Sequence, residues 1–145
     1  MMPEKVYLSL GSNIAPRRAY LAQALFYLQE ALDVRPEAVS SMYENPAQGF
    51  VGGDFVNCAA RFSLSGVEPE DLLRVCKEIE RKLGRAHSPL FDKEGRRIYR
   101  DRTVDIDILL FGDRTVHTKD LQIPHPRMYQ RDFVMVPLSE IIEQK

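Results

Sequence analysis

The sequence predicts an α+β fold, an antiparallel sheet with two helices packed on one face. Three observations lead there. A chain of 145 residues, 44% hydrophobic and 28% charged, is long and apolar enough for one domain with a real core, so residues 1–145 are expected to form a single domain. Two segments carry apolar residues at spacings of four, three and four, the pattern of an amphipathic helix with one buried stripe. Runs of strand formers surround them in the order strand, helix, strand, strand, helix, strand, which is a split βαβ layout.

Residues 6–10 open the chain as a short apolar strand, which Gly11-Ser12-Asn13 is expected to end in a turn. Pro16 suits a first helical turn, and Leu21, Leu25, Leu28 and Leu32 give residues 16–32 their stripe. Residues 34–43 form a weaker strand candidate. A loop rich in Pro and Gly (residues 45–53) leads to a further strand over 55–64. The second helix starts at Pro69, Glu70 and Asp71 and repeats the stripe with Leu72, Cys76, Ile79 and Leu83. It ends on Arg81 and Lys82 before Gly84, with charges suited to the helix dipole at both ends. Residues 85–102 show no apolar periodicity and read as a long mobile loop, a feature usually functional or disordered in a compact domain. Residues 103–111 form the strongest strand, and Gly112-Asp113 predicts a hairpin into residues 115–117. A short helix is expected around residues 138–142.

Twenty Lys and Arg against 21 Asp and Glu leave a formal charge of −1, so no global basic field exists to hold a nucleic-acid backbone. Cys58 and Cys76 sit in apolar contexts without CxxC spacing and read as small buried hydrophobes. No stretch approaches the roughly 18 apolar residues of a spanning helix, and the N-terminus lacks the pattern of a secretory leader. A cytoplasmic protein without membrane or nucleic-acid partners is the expectation, with a monomer as the default state.

The sharpest local feature is Val104-Asp105-Ile106-Asp107-Ile108. Residues two apart on a strand project from the same face about 6 to 7 Å apart, so the two carboxylates converge on one site. Val104, Ile106, Ile108 and Leu110 are expected to fill the core face, while Leu109 and Phe111 continue the Asp face. Paired carboxylates at the end of a buried face repel each other and lose hydration, which a hard divalent cation relieves. Taken alone, such a pair more often faces solvent or pairs with a neighbouring Arg. Its context is a stretch (85–102) with six Lys or Arg against three acids, and Arg binds phosphate oxygens in pairs. Acid pair and Arg-rich loop together suggest metal and polyphosphate.

His125, fixed between Pro124 and Pro126, is either a surface turn residue or an aimed imidazole, and Arg131 and Phe133 follow closely. The stretch Gly49-Phe50-Val51-Gly52-Gly53 lacks the Lys and Ser/Thr of a phosphate loop, and Gly11-Ser12-Asn13 lacks a dinucleotide fingerprint.

Taken together, several segments resemble the 6-hydroxymethyl-7,8-dihydropterin pyrophosphokinases of folate biosynthesis. They are Leu8-Ser9-Leu10-Gly11-Ser12-Asn13, Ser40-Ser41-Met42-Tyr43 with Asn45-Pro46, Asp54-Phe55-Val56-Asn57, Ile79-Glu80-Arg81-Lys82-Leu83-Gly84-Arg85, the run from Arg102 through Asp105 and Asp107 to Gly112, and Ile123-Pro124-His125-Pro126. The resemblance covers most of the chain. It implies a ferredoxin-like α+β fold and transfer of the β,γ-diphosphate of ATP, the co-substrate, to the pterin hydroxymethyl oxygen, releasing AMP. It further implies two Mg²⁺ held by Asp105 and Asp107, with Asp107 also helping to take the hydroxyl proton. Arg85 and Arg102 then match loop arginines that close over the phosphates, and Glu80, Ile108, His125 and Arg131 match the ATP side. Pterin recognition falls to Asn57, to Phe55 and Phe133 stacking on the ring, and to backbone around Asn45, Pro46 and Gln48.

This chain departs from the pattern in places. Phe55 stands where better-known members have Tyr, His87 replaces a second loop Arg, and Pro126 replaces an aromatic. The loop is several residues longer than in some members, so Tyr99 and Arg100 have no fixed alignment with the family pattern. Two other readings of the same residues are a nucleotidyltransferase or ordinary kinase using Asp105 and Asp107, and a catalytically silent ferredoxin-like module that binds RNA or a small ligand. The near-zero charge and the lack of an aromatic RNA-binding strand disfavour the last.

Overall fold

A computed structural model describes residues 2–45, 54–84, 90–91, 93–94, 97–98 and 103–142. Strands β1 (Glu4–Ser12), β2 (Ala38–Val39), β3 (Tyr43–Asn45) and β4 (Phe55–Leu64) and a later strand over Asp105–Phe111 form one antiparallel sheet. β1 lies at its centre, paired with β4 on one side and with Asp105–Phe111 on the other. β2 and β3 both pair with β4. Helices α1 (Arg17–Leu32) and α2 (Pro69–Leu83) follow β1 and β4. Leu21, Ala24 and Leu28 of α1 and Leu72, Cys76 and Ile79 of α2 are buried against Leu8, Leu10, Cys58, Ala60 and Phe62, so the predicted stripes do face the sheet. Full burial of each large apolar side chain contributes about 1.5 to 3 kcal/mol before entropy is counted. At the start of α2, Glu68 caps and Asp71 reciprocates to the Glu68 N–H, which explains the sharp onset at Pro69. The expected α+β architecture, with two helices on one face of an antiparallel sheet, is the one observed.

Several local expectations change. β1 does not stop at Leu10: Gly11 and Ser12 stay in the sheet because Gly11 pairs with Asn57 on one side and Asp105 on the other. The strand expected over 34–43 divides into β2 and β3, since the Ser40 hydroxyl takes the Ala59 N–H at 2.8 Å and interrupts regular pairing. Within 85–102, β5 (Leu90–Phe91) pairs with β6 (Arg97–Ile98), a short hairpin without an apolar repeat to announce it. The expected mobility of that stretch concerns mostly residues outside the described set.

The strand over Asp105–Phe111 is β7. Its register against β1 slips between Tyr7 and Leu8, where Tyr7 faces Leu110 and Leu8 faces Ile108, leaving Leu109 as an extra residue. The bulge reverses the parity of the strand's end. Phe111, expected on the Asp face, is buried in the α1/α2 core, whereas Leu110 packs on the opposite side beside Leu109. Gly112, at φ +55°, turns the chain and donates its N–H to Lys5 O, while Arg114 is anchored by Glu4 and Glu68. The following β8 (Val116–His117) therefore pairs not with β7 but with β9 (Gln122–Ile123).

The last helix, α3 (Asp132–Ile141), starts six residues earlier than the short helix expected around 138–142 and carries Pro137 in its interior, which masks its first half in the sequence. Val134, Leu138 and Ile141 cover Tyr7, Ala59 and Leu109 on the sheet face opposite α1 and α2. Arg61 donates to Ile141 O at the end of α3, and Glu140 accepts from the Ser41 N–H at 2.9 Å and the Ser41 hydroxyl at 2.7 Å. Ser41 and Glu140 thereby join α3 to the chain entering β3.

Candidate active site

The alternation of β1, β4 and β7 puts Ser9, Gly11, Phe55, Asn57, Asp105 and Asp107 on the face that α3 only partly covers. Asp107 lies opposite Ser9 and Asp105 opposite Gly11, while Gly11 also lies opposite Asn57. Three neighbouring strands thus bring the expected metal ligands and the expected pterin residue into one row. Asn45 ends β3 opposite Phe55, and Tyr43 stands opposite Asn57. Asn57 is 5% exposed, and its Oδ1 has no hydrogen-bond partner among the described residues. An unsatisfied buried acceptor costs about 1 to 3 kcal/mol, a cost that a ligand donor recovers.

The acid pair is electrostatically loaded. The Asp107 carboxyl is pushed up to about 7 by burial first, then by the charges of Asp105 and Glu80, with Arg131 and Lys77 opposing. Glu80, on the last turns of α2, is also raised, again mainly by burial. Its Oε2 accepts the Ile106 N–H at 2.7 Å. β7 is the edge strand, so that N–H points away from the sheet, and Glu80 supplies the acceptor that no neighbouring strand provides. Lys77 stands 3.4 Å from Glu80. Burial and the mutual repulsion of Asp107, Asp105 and Glu80 disfavour the ionised Asp107 carboxylate, a penalty that a divalent cation relieves. Among the described residues no group of three or more His, Cys, Asp or Glu is arranged to hold a metal unaided. A Mg²⁺ here would share Asp105 and Asp107 with water and phosphate oxygens, its usual preference.

A cleft of about 290 Å³ runs along the edge of β7, lined also by Leu73 and Lys77 of α2 and by Lys119, Gln122 and Pro126. Ile106, Asp107, Ile108 and His125 line it. His125 Nε2 approaches Asp107 Oδ1 at 4.0 Å, its Nδ1 accepts the Arg127 N–H at 3.3 Å, and its backbone N–H donates to Leu109 O. Burial and the nearby Arg131 lower its pKa, which keeps the imidazole neutral at pH 7. The Arg131 guanidinium lies 5.6 Å from the Phe133 ring, in the first turn of α3.

Of the residues expected at the site, Asp105, Asp107, Ile108, His125, Arg131, Phe133, Phe55 and Asn57 are described, and most gather at this end of the sheet. Glu80 is present too, but its carboxylate is engaged with the β7 edge. Asn45 is placed by its backbone. Arg85, Arg102, Pro46 and Gln48 lie outside the described residues. Sequence reasoning missed Lys77 and Lys119, which line the cleft and which nothing distinguishes from ordinary helix and loop cations. It also missed Arg17, which bridges Asp54 O and Glu44 at 2.9 Å each and ties the start of α1 to β3 and the entry of β4.

The sequence model of the 7,8-dihydro-6-hydroxymethylpterin-pyrophosphokinase family matches residues 7–143. The 2-amino-4-hydroxy-6-hydroxymethyldihydropteridine pyrophosphokinase of Bacillus subtilis is 41% identical over 139 residues, covering 95% of this chain and 78% of that protein. Proteins of the same description from Aquifex aeolicus (40% identical, 94% of this chain and 79% of that protein) and Porphyromonas gingivalis (41%, 94% and 89%) agree. With a family match running from β1 past the end of α3, the chain belongs to the 7,8-dihydro-6-hydroxymethylpterin-pyrophosphokinase family.

Proposed function

We propose that this chain transfers the β,γ-diphosphate of ATP to the hydroxymethyl oxygen of 6-hydroxymethyl-7,8-dihydropterin, giving the pterin diphosphate and AMP for folate biosynthesis. The observation that carries the reading is the row across β4, β1 and β7, in which Asn57 and Asp105 flank Gly11 on one sheet face. The buried Asn57 amide, whose Oδ1 accepts from none of the described residues, lies on the pterin half of this row, and the Asp105 and Asp107 carboxylates end the phosphate half.

In this reading Asn57 binds the pterin edge, because one amide both donates and accepts. Phe55 and Phe133 stack on the ring, and the backbone of Asn45, Pro46 and Gln48 completes the pocket. ATP occupies the cleft along β7, with its base against Ile108 and its phosphates toward Asp105 and Asp107. His125 and Arg131 hold the nucleotide from the α3 side, and Glu80 fixes the strand edge beneath it. Arg85 and Arg102 clamp the phosphates with bidentate hydrogen bonds. Asp105 and Asp107 would hold two Mg²⁺, which when bound would supply charge neutralisation for the diphosphate. Asp107 receives the proton that the attacking hydroxyl loses. Holding both substrates in line converts an encounter in solution into a step within one complex. The protein acts in the cytoplasm as a monomer; no helix among the described residues is long and apolar enough to cross a membrane.

The test is incubation with ATP, Mg²⁺ and the pterin, with nucleotide products separated by chromatography. AMP formed only when pterin is present is the expected result. ADP identifies an ordinary kinase and free pyrophosphate a nucleotidyltransferase, and either overturns the reading.

A further inference from the structure

We infer that Gly11 is a positioning residue for the pterin: its missing side chain is the space into which the Asn57 amide and the Phe55 ring settle. The inference rests on the assignment of Asn57 to the pterin in the reading above. A β-carbon built on Gly11 would lie 2.5 Å from Asn57 Nδ2, 3.5 Å from Asn57 Cγ and 3.5 Å from Phe55 Cδ1. The backbone of Gly11 does not require glycine, since its φ lies outside the left-handed region and the residue pairs regularly with both neighbouring strands. The requirement is one of space on the site face alone. The atom that would have to move is the Asn57 amide nitrogen, with the Phe55 ring already in van der Waals contact beside it, and Asn57 Oδ1 has no partner among the described residues in that position. A methyl group at residue 11 therefore displaces the recognising amide while leaving the sheet paired. Asp105 faces Gly11 from the other side, so the same bare backbone lies between the pterin-binding amide and the acid pair.

The experiment is a double-mutant cycle of Gly11→Ala and Asn57→Ala, with 6-hydroxymethyl-7,8-dihydropterin titrated by calorimetry in the presence of Mg²⁺ and a non-transferable ATP analogue. Affinity of the nucleotide itself is measured separately. Gly11→Ala is expected to weaken the pterin on the order of tenfold, with nucleotide affinity within about twofold of wild type, since the displaced amide gives up one or two hydrogen bonds to the pterin. In the Asn57→Ala background the same substitution is expected to cost less than about twofold, because the amide it displaces is gone. Wild-type pterin affinity in Gly11→Ala, or full multiplication of the two losses, overturns the inference while leaving Asn57 in its assigned role. An Asn57→Ala variant that binds pterin normally removes that assignment, and the inference with it. If Gly11→Ala alone does not fold, recovery of folding in the double variant supports the collision with Asn57. Failure of both to fold shows that the strand itself demands glycine and overturns the inference.

Discussion

Replacing Glu80 separates its structural task from its charge. Its Oε2 is the acceptor for the Ile106 N–H on the open edge of β7, and Ile106 itself is 3% exposed. In Glu80→Ala that N–H loses its partner, at a cost of about 1.5 to 3 kcal/mol for a bond to a charged acceptor. Two effects reduce the loss: the carboxylate no longer resists burial, and its repulsion of Asp105 and Asp107 disappears. The Lys77 contact adds little, because Lys77 is largely exposed. A net destabilisation of about 1 to 2 kcal/mol follows, which lowers Tm by about 2 to 8 °C in a domain of this size. Glu80→Gln keeps a carbonyl acceptor at the same reach and removes the charge, so it is expected within about 0.5 kcal/mol of wild type. Urea unfolding of the protein without nucleotide, followed by far-UV circular dichroism, reads both values. Wild-type stability in Glu80→Ala refutes the edge-capping role, and an equal loss in Glu80→Gln shows that charge rather than acceptor geometry matters.

Other predictions follow from burial and ion pairing. Phe62 is fully buried beneath α1 and α2, so Phe62→Leu is expected to cost about 1 to 2 kcal/mol in the same urea assay, and a neutral result would mean that this core is poorly packed. Burial pushes the Cys58 and Cys76 thiols up to about 12, so both are expected to resist a thiol reagent at mildly alkaline pH until denaturant is added; rapid labelling of the native protein would contradict their placement. The Glu37 carboxyl is held below its ordinary value of 4.5, chiefly by the hydrogen bond from Lys5 and with help from Arg61. A depressed carboxyl contributes stability above its unfolded pKa and loses it as pH falls through the folded value. The stability deficit of Glu37→Gln is therefore constant near neutrality and shrinks in the acid range below about pH 4. A deficit independent of pH would exclude the ion pair as its source.

The parts of this fold that obey a simple period could be read from the chain. The four, three, four spacing locates α1 and α2 and their buried faces, and the run from Val104 to Ile108 places two carboxylates side by side. What escaped has a local physical cause. The bulge at Leu109 reverses which side Leu110 and Phe111 face, and no residue in β7 announces it. Pro137 conceals the first half of a helix that packs well enough to tolerate the missing N–H. Gly11 reads as a turn residue, although its role is to leave space within a sheet, which depends on the partner strands and not on the neighbours in sequence. The site follows the same division. Asp105, Asp107 and Asn57 carry recognisable chemistry, whereas the engagement of Glu80 with the β7 edge arises only once α2 is docked.

The central claim is that the site face divides at Gly11 into a pterin half and a phosphate half. Calorimetric affinities of the pterin and of a Mg²⁺-bound, non-transferable ATP analogue, measured on Asn57→Ala and Asp107→Ala, test it most directly. A crossed pattern is predicted: Asn57→Ala loses the pterin and keeps the nucleotide, and Asp107→Ala loses nucleotide affinity far more than pterin affinity while abolishing turnover. Equal losses of both ligands in both variants, or unchanged Mg²⁺-nucleotide affinity in Asp107→Ala, would contradict the division.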